Sequence, residues 1–118
     1  MKISAGSHAW AYPWGKDWPP PEKAGNYAQS LAVDIYQYTS PVGSFGVNPQ
    51  GLFDLGGNVW EWCEDRFAGQ GEARVLRGGS WNSNVRGLLL SSDRSDGSAD
   101  LRGVSLGFRL VLDGVPVR

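Results

Sequence analysis

One histidine, one cysteine and one methionine are all the soft metal-ligating side chains in these 118 residues, and that scarcity excludes much chemistry. A lone Cys63 builds neither a disulfide framework nor a cysteine-rich zinc site. A lone His8 leaves no histidine pair for a metal, and any serine triad would have to be founded on that residue. Charge of one sign is lacking too: 11 Lys+Arg against 12 Asp+Glu leave a formal -1, so the chain as a whole has no footprint for DNA or RNA. No apolar run approaches the ~20 residues of a membrane-spanning helix. Met1–Ser7 has no apolar stretch of signal-peptide length, so nothing here directs secretion and the compartment stays unknown.

What the chain has in excess is glycine. Seventeen glycines are about twice ordinary usage, and seven prolines add to them. Without a repeat, such a composition can mean disorder. Six tryptophans, four tyrosines and four phenylalanines argue against it, because disordered segments are poor in aromatics. The composition therefore predicts one compact domain with much irregular backbone, in which glycines supply positive φ and tryptophans supply most of the buried area. All three lysines lie before residue 66 and all eight arginines lie from residue 66 onward. Arginine is the residue of planar, multidentate hydrogen bonding, which suits internal scaffolding in the second half.

Along the chain, regular elements are few. Residues 10–23 combine three tryptophans with four prolines and read as an ordered loop anchored by Trp10, Trp14 and Trp18. A proline-dependent peptide contact is the other reading of that loop. Residues 24–50 have no helical period and are punctuated by turn signals. Val59–Cys63 alternates as a strand after the Gly56-Gly57-Asn58 turn, and Arg74–Arg77 is a short strand ended by Gly78-Gly79. Leu88–Leu90 is a helical turn or a buried segment. Residues 91–106 are small, polar and turn-rich, and Gly107–Leu112 is the best strand in the sequence.

Nucleophilic catalysis finds little support. Cys63 stands beside Glu64, and a neighbouring carboxylate raises a thiol pKa, so a small packing residue is the better reading. Ser80 lacks the glycine that a nucleophile elbow needs two places later. Gly56-Gly57 and Gly78-Gly79 have neither a P-loop lysine nor dinucleotide-binding spacing. Asp54 and Glu61 bracket two glycines and offer the oxygen atoms a hard cation wants. From spacing alone, a turn cap at Asp54 and an arginine partner for Glu61 explain them better. Arg77, Arg86, Arg94, Arg102 and Arg109 recur every seven to nine residues. Their guanidinium groups suit tying loop carbonyls and the carboxylates of Asp93, Asp96 and Asp100 where no helix or sheet satisfies them.

The ordered run of Gly51-Leu-Phe-Asp-Leu-Gly-Gly-Asn-Val-Trp-Glu-Trp62, Arg74-Val-Leu-Arg-Gly-Gly-Ser-Trp81, Arg94, Arg102 and Gly107-Phe-Arg-Leu110 resembles the formylglycine-generating-enzyme (sulfatase-modifying factor) family. Tyr12-Pro-Trp-Gly15 and Ser40-Pro-Val-Gly-Ser-Phe45 are similar to it as well. The resemblance implies an α+β, mostly irregular chain. Its fold would be C-type-lectin-like, with a small antiparallel sheet, long loops and little helix, in one domain over residues 1–118. The N-terminal part of the family's domain, a strand and two helices, is not represented. The resemblance further implies two structural calcium sites. One would use Asn26 and Asp34 side chains with the Tyr27 and Tyr36 carbonyls, the other Asp54 and Glu61 side chains with the Gly57 and Val59 carbonyls. It does not carry catalysis over. The oxidising members' cysteine pair after the Gly-Gly-Ser-aromatic motif is replaced by Asn82-Ser-Asn-Val-Arg-Gly-Leu88, and soft thiolates are what copper(I) requires. The histidines of the iron-dependent members are missing too.

A second resemblance is to the non-catalytic variable proteins of diversity-generating retroelements, whose segment from Arg-Gly-Gly-Ser-Trp to Gly-Phe-Arg is rewritten by mutagenesis. Residues 77–110 would be the variable region. Its framework would be Trp81, Asn82, Arg86, Leu89-Leu-Ser-Ser92, Arg94, Asp100, Arg102 and Gly107–Arg109. The ligand-binding positions would be Ser83, Leu88, Asp93, Ser95, Asp96, Gly97, Leu101, Gly103, Val104 and Ser105, with Leu106 readily conceded to the core. The resemblance thus implies a non-enzymatic module that shows a diversified surface to a protein ligand. The alternatives are a divergent enzyme of the formylglycine-generating type and a structural paralogue without a diversified site.

Overall fold

A computed structural model describes residues 11–69 and 71–114; His8 and Trp10 lie outside them. Four short strands form the only sheet among these residues: β1 (Trp60–Arg66), β2 (Ala73–Arg77), β3 (Ser95–Ser98) and β4 (Leu106–Gly107). The spatial order is β3-β2-β1-β4. Strand β1 pairs antiparallel with β2, Trp62 opposite Leu76, and β2 pairs antiparallel with β3, Val75 opposite Asp96. On the other side β4 joins β1 in parallel, Trp60 opposite Leu106. The sheet is therefore mixed, not wholly antiparallel. A parallel neighbour requires a long crossover, and the chain from β2 through β3 to residue 105 provides it. Among the described residues helix is confined to single 3-10 turns at Gln29–Leu31, Phe67–Gly69 and Arg86–Leu89.

Three expectations from the sequence change. Gly107–Leu112, the best strand on pattern, pairs only through Leu106–Gly107, opposite Trp60 and Glu61, and residues 108–112 form no strand. Strand β3 forms from Ser-Asp-Gly-Ser, which has no apolar alternation at all. The tryptophans Trp14, Trp18, Trp60, Trp62 and Trp81 are half-buried, and the interior is made by Tyr12, Tyr27, Val33 and Leu89, with Val75 and Leu76 buried within β2. An indole is large and carries a donor that wants a partner, so it lies over the core and not inside it. Tyr12 stacks on Trp14 with ring centroids 4.7 Å apart, and Tyr27 meets Trp14 edge-on at 5.6 Å.

Most backbone groups here lie outside helix and sheet, and buried ones must still be paired. Side chains from distant loops do much of that pairing. Asn58, in the left-handed region at φ +65, accepts from the Ser40 amide at 2.9 Å and donates to the Ser40 carbonyl at 3.3 Å. Its own amide donates to the Asn26 carbonyl at 2.8 Å, and its carbonyl accepts the Trp81 amide at 2.9 Å. Gly57, at φ +74, lies so close to Asn26 that a Cβ there would overlap the Asn26 carbonyl oxygen.

The arginines work as the sequence suggests toward carbonyls, and less toward carboxylates. Arg77 donates to the Ser91 and Asp93 carbonyls, each at 3.3 Å. Arg86 donates to the Tyr12 hydroxyl at 2.6 Å and lies over the Trp18 ring. Arg94 lies over Phe67, 5.5 Å from the ring centroid. Among the described residues the one ion pair to a carboxylate is Arg109 with Glu61.

Candidate functional site

The candidate ligand-binding residues do not fall on one surface. Ser83 is buried: its hydroxyl accepts the Ser80 amide at 2.9 Å, and its carbonyl accepts the Ala28 amide at 3.1 Å. It closes a turn and displays nothing. Gly97 is buried in β3, where a Cβ would stand 3.0 Å from both Leu101 and Trp62. Glycine there is a packing requirement, so this position too leaves the candidate surface.

The others face outward to differing degrees. Asp96, Gly103 and Val104 are exposed, and Leu88 and Leu101 are partly so. Asp93, Ser95 and Ser105 are half-buried. Leu88 stands on the Arg86–Leu89 turn. Leu101 lies against Gly97 on the sheet. Residues 101–105 form a loop held by its main chain. The Leu101 amide donates to Ser98 at 2.9 Å, the Val104 carbonyl accepts the Trp81 indole at 3.2 Å, and the Ser105 carbonyl accepts the Trp60 amide at 2.7 Å. Between the last two anchors the Val104 side chain is 79% exposed. Tyr38, exposed and edge-on to Trp81 at 5.2 Å, adjoins the same loop. The sequence did not single it out: it stands in a loop without period, positioned by the distant Asn26, whose amide donates to the Tyr38 carbonyl at 2.8 Å.

Asp93 is the titrating group of this region. Partial burial raises its carboxyl above the ordinary range, against the opposing pull of the Arg77 charge and the Arg94 amide. One carboxylate oxygen, Oδ2, is buried without a hydrogen-bond partner among the described residues.

The two calcium groups differ in how well they suit a cation. In the first, the Asp34 carboxylate accepts the Tyr27 amide at 2.9 Å and the Tyr36 amide at 2.8 Å, which draws three of the four residues together. The fourth, Asn26, is fully buried, and its Oδ1 accepts no hydrogen bond among the described residues. An orphaned carbonyl-type oxygen beside a carboxylate suits a hard cation. In the second group, the Arg109 guanidinium pairs with Glu61 and also donates to the carbonyls of Phe53 at 2.9 Å and Asp54 at 2.8 Å. The Asp54 carboxylate accepts the Gly43 amide at 2.8 Å, and the Gly57 amide donates to Gly78 at 2.8 Å. Val59 packs on Gly107. The Arg109 charge beside Glu61 counts against a second cation at that carboxylate, so this group suits calcium less well than the first. The arrangement matches the plainer reading of the spacing, with Glu61 held by an arginine.

Above the Glu61–Arg109 pair opens a cleft of about 550 Å³, rimmed by Val42, Leu52, Phe53, Val59 and Phe108. Tyr27 lies deeper. Burial, with the Asp54 charge adding to it, pushes its phenol well above the ordinary range, so it stays neutral.

The model of the sulfatase-modifying factor enzyme 1-like domain matches residues 2–114. The chain is 32% identical over 126 residues to the formylglycine-generating enzyme of Streptomyces coelicolor, covering 86% of this chain and 40% of the relative. It is 38% identical over 97 residues to the inactive C-alpha-formylglycine-generating enzyme 2 of Bos taurus, covering 77% and 29%. Among solved structures it superposes on Treponema denticola variable protein 1 with a TM-score of 0.60 and 29% identity, covering 92% of this chain and 45% of that one. The chain thus spans less than half the length of each.

Asp93 yields a pH prediction. Its folded pKa lies above the unfolded value, so between the two the folded state holds the extra proton and stability falls as pH rises through that window. Asp93→Asn removes the buried charge. It should therefore raise the melting temperature at pH 7, with the gain shrinking toward pH 4, as followed by thermal denaturation across that range. A gain that does not depend on pH would contradict this assignment.

Proposed function

We propose, from the premise that this chain belongs to the sulfatase-modifying factor enzyme 1-like family, that it is a non-enzymatic display module of the variable-protein kind. On this reading the fold is C-type-lectin-like and the ligand is a protein. The observation that carries the proposal is the 101–105 loop. Its carbonyls are gripped by Trp60 of β1 and by Trp81, while the Val104 side chain points to solvent. A backbone anchored by framework atoms tolerates many side chains at the tip. Exposed Leu101 and Val104 beside Tyr38 then supply apolar contact, with Asp96, Ser95 and Ser105 as a polar surround, as protein-binding patches require. Similarity to an inactive relative and the missing thiol pair favour this reading over an enzyme.

Grafting tests it. Residues 95, 96, 101 and 103–105 of this chain are placed in the corresponding loop of a sibling scaffold with a different partner. A binding partner selected for this chain from a displayed peptide library should follow the graft. If binding stays with the remainder of this chain, display through the loop is wrong.

We further propose structural calcium at the first group alone, held by Asn26 and Asp34 with the Tyr27 and Tyr36 carbonyls. There the ion would tie the 26–36 loop and neutralise the Asp34 charge. The melting temperature should rise by a few degrees with calcium over chelator, and Asp34→Asn should abolish that difference while Glu61→Gln leaves it. Coincident curves with calcium and with chelator for the unaltered chain would contradict it.

A further inference from the structure

A second cavity, of about 360 Å³, lies among the loops, and none of its walls comes from residues 95–105. One wall is Glu22 and Lys23, in a turn closed by the Ala24 amide donating to the Pro21 carbonyl at 3.0 Å. The Lys23 amide donates to the Val33 carbonyl at 2.7 Å, which fixes this wall to the next, Ala32–Tyr36. Tyr36 in turn meets Phe45 edge-on, ring centroids 6.1 Å apart, which fixes the third wall. The chemistry of the walls is divided. Val33, Ile35, Tyr36 and Phe45 supply apolar and aromatic surface, and Ile35 is 90% exposed, open to an occupant. Glu22 and Lys23 supply one charge of each sign, and neither is ion-paired among the described residues. The Asp34 carboxylate is different: the Tyr27 and Tyr36 amides take both its oxygens, so it is wall and not contact. Lys23 also sits at φ +63, in the left-handed region, where glycine would hold the turn at lower cost. The turn itself does not call for a lysine, so the use of that side chain lies in the cavity it lines.

We propose that this cavity binds a free α-amino acid with an apolar side chain. Lys23 takes the α-carboxylate, Glu22 takes the α-ammonium, and the side chain lies against Ile35, Tyr36 and Phe45. Two features select this class. The volume is near the lower end of the range for ligand pockets, about 300–1,000 Å³, which suits a single amino acid better than a nucleotide or a folded partner. Two unpaired charges of opposite sign on neighbouring residues match a zwitterion, whereas either end of a peptide would satisfy only one of them. The site shares no residue with the 101–105 loop, so it stands or falls apart from the display reading.

The test is titration of the 118-residue chain with L-leucine and with L-phenylalanine, followed by backbone amide shifts in NMR spectra. At least one of them should shift the amides of Lys23, Val33–Tyr36 and Phe45 and reach saturation. N-acetyl-leucine and leucinamide should each bind about tenfold more weakly than leucine, the factor that one hydrogen bond to a charged group supplies. Lys23→Gly should lose the binding yet melt no lower than the unaltered chain, because glycine relieves the left-handed turn. Glu22→Gln should abolish the preference for leucine over N-acetyl-leucine and keep the preference over leucinamide. No saturable shift with either amino acid, in a chain whose spectrum is folded, would overturn the proposal. Equal binding of N-acetyl-leucine would assign the cavity to a peptide C-terminus, and equal binding of leucinamide to an N-terminus; either overturns it. Undiminished binding by Lys23→Gly would do the same.

Discussion

The structure depends on how one side chain, Asn58, satisfies backbone that no helix or sheet reaches. It joins three loops: Asn26 and Ser40 on one side and Trp81 on the other. The residue type is close to forced. The position needs positive φ, which asparagine tolerates better than most, and it needs a donor and an acceptor on the same short side chain. Leaving those buried amides and carbonyls unmade would cost the desolvation of each. From Asn58 the linkage continues outward, because the Trp81 held by its carbonyl in turn holds the Val104 carbonyl. The exposed loop is therefore tied to the interior through main chain and framework side chains, and the side chains at its tip are left out of the linkage.

That arrangement explains why a chain with four short strands can offer a defined surface. Rigidity comes from a few buried polar contacts and from Tyr12, Tyr27 and Leu89 packed under the half-buried indoles. The same arrangement sets the limit of what can vary. Ser83 and Gly97 lie within the segment that the family resemblance marks as variable, yet one closes a turn and the other is buried where a side chain would crowd Leu101 and Trp62. Variation at those two would disturb the scaffold, whereas Asp96, Gly103 and Val104 are exposed.

Much of this was legible in the residues, and the exceptions have a common cause. Local patterns found β1 and β2, because alternation and a terminating glycine pair are properties of neighbours in sequence. They missed β3, whose Ser-Asp-Gly-Ser acquires strand geometry only from four pairings with β2. They overextended β4, because propensity cannot show that its pairing with β1 ends at Glu61. At the Asp54–Glu61 group an arginine partner for Glu61 was legible, and which arginine was not. The guanidinium that takes Glu61 lies 48 residues later in the chain. Likewise Tyr38 was unreadable, since its place beside Trp81 is set by loops that meet only in the folded molecule.

The most direct measurement compares denaturant midpoints of two variants, one altering the linkage and one altering only the displayed tip. Asn58→Ala deletes three buried side-chain hydrogen bonds and should cost about 3 kcal/mol at an unchanged denaturant slope. Asp96→Ser, Leu101→Ser, Val104→Ser and Ser105→Ala made together should cost about 1 kcal/mol or less. If the fourfold variant loses as much stability as the asparagine variant, or more, then the displayed residues are part of the scaffold and this account is wrong.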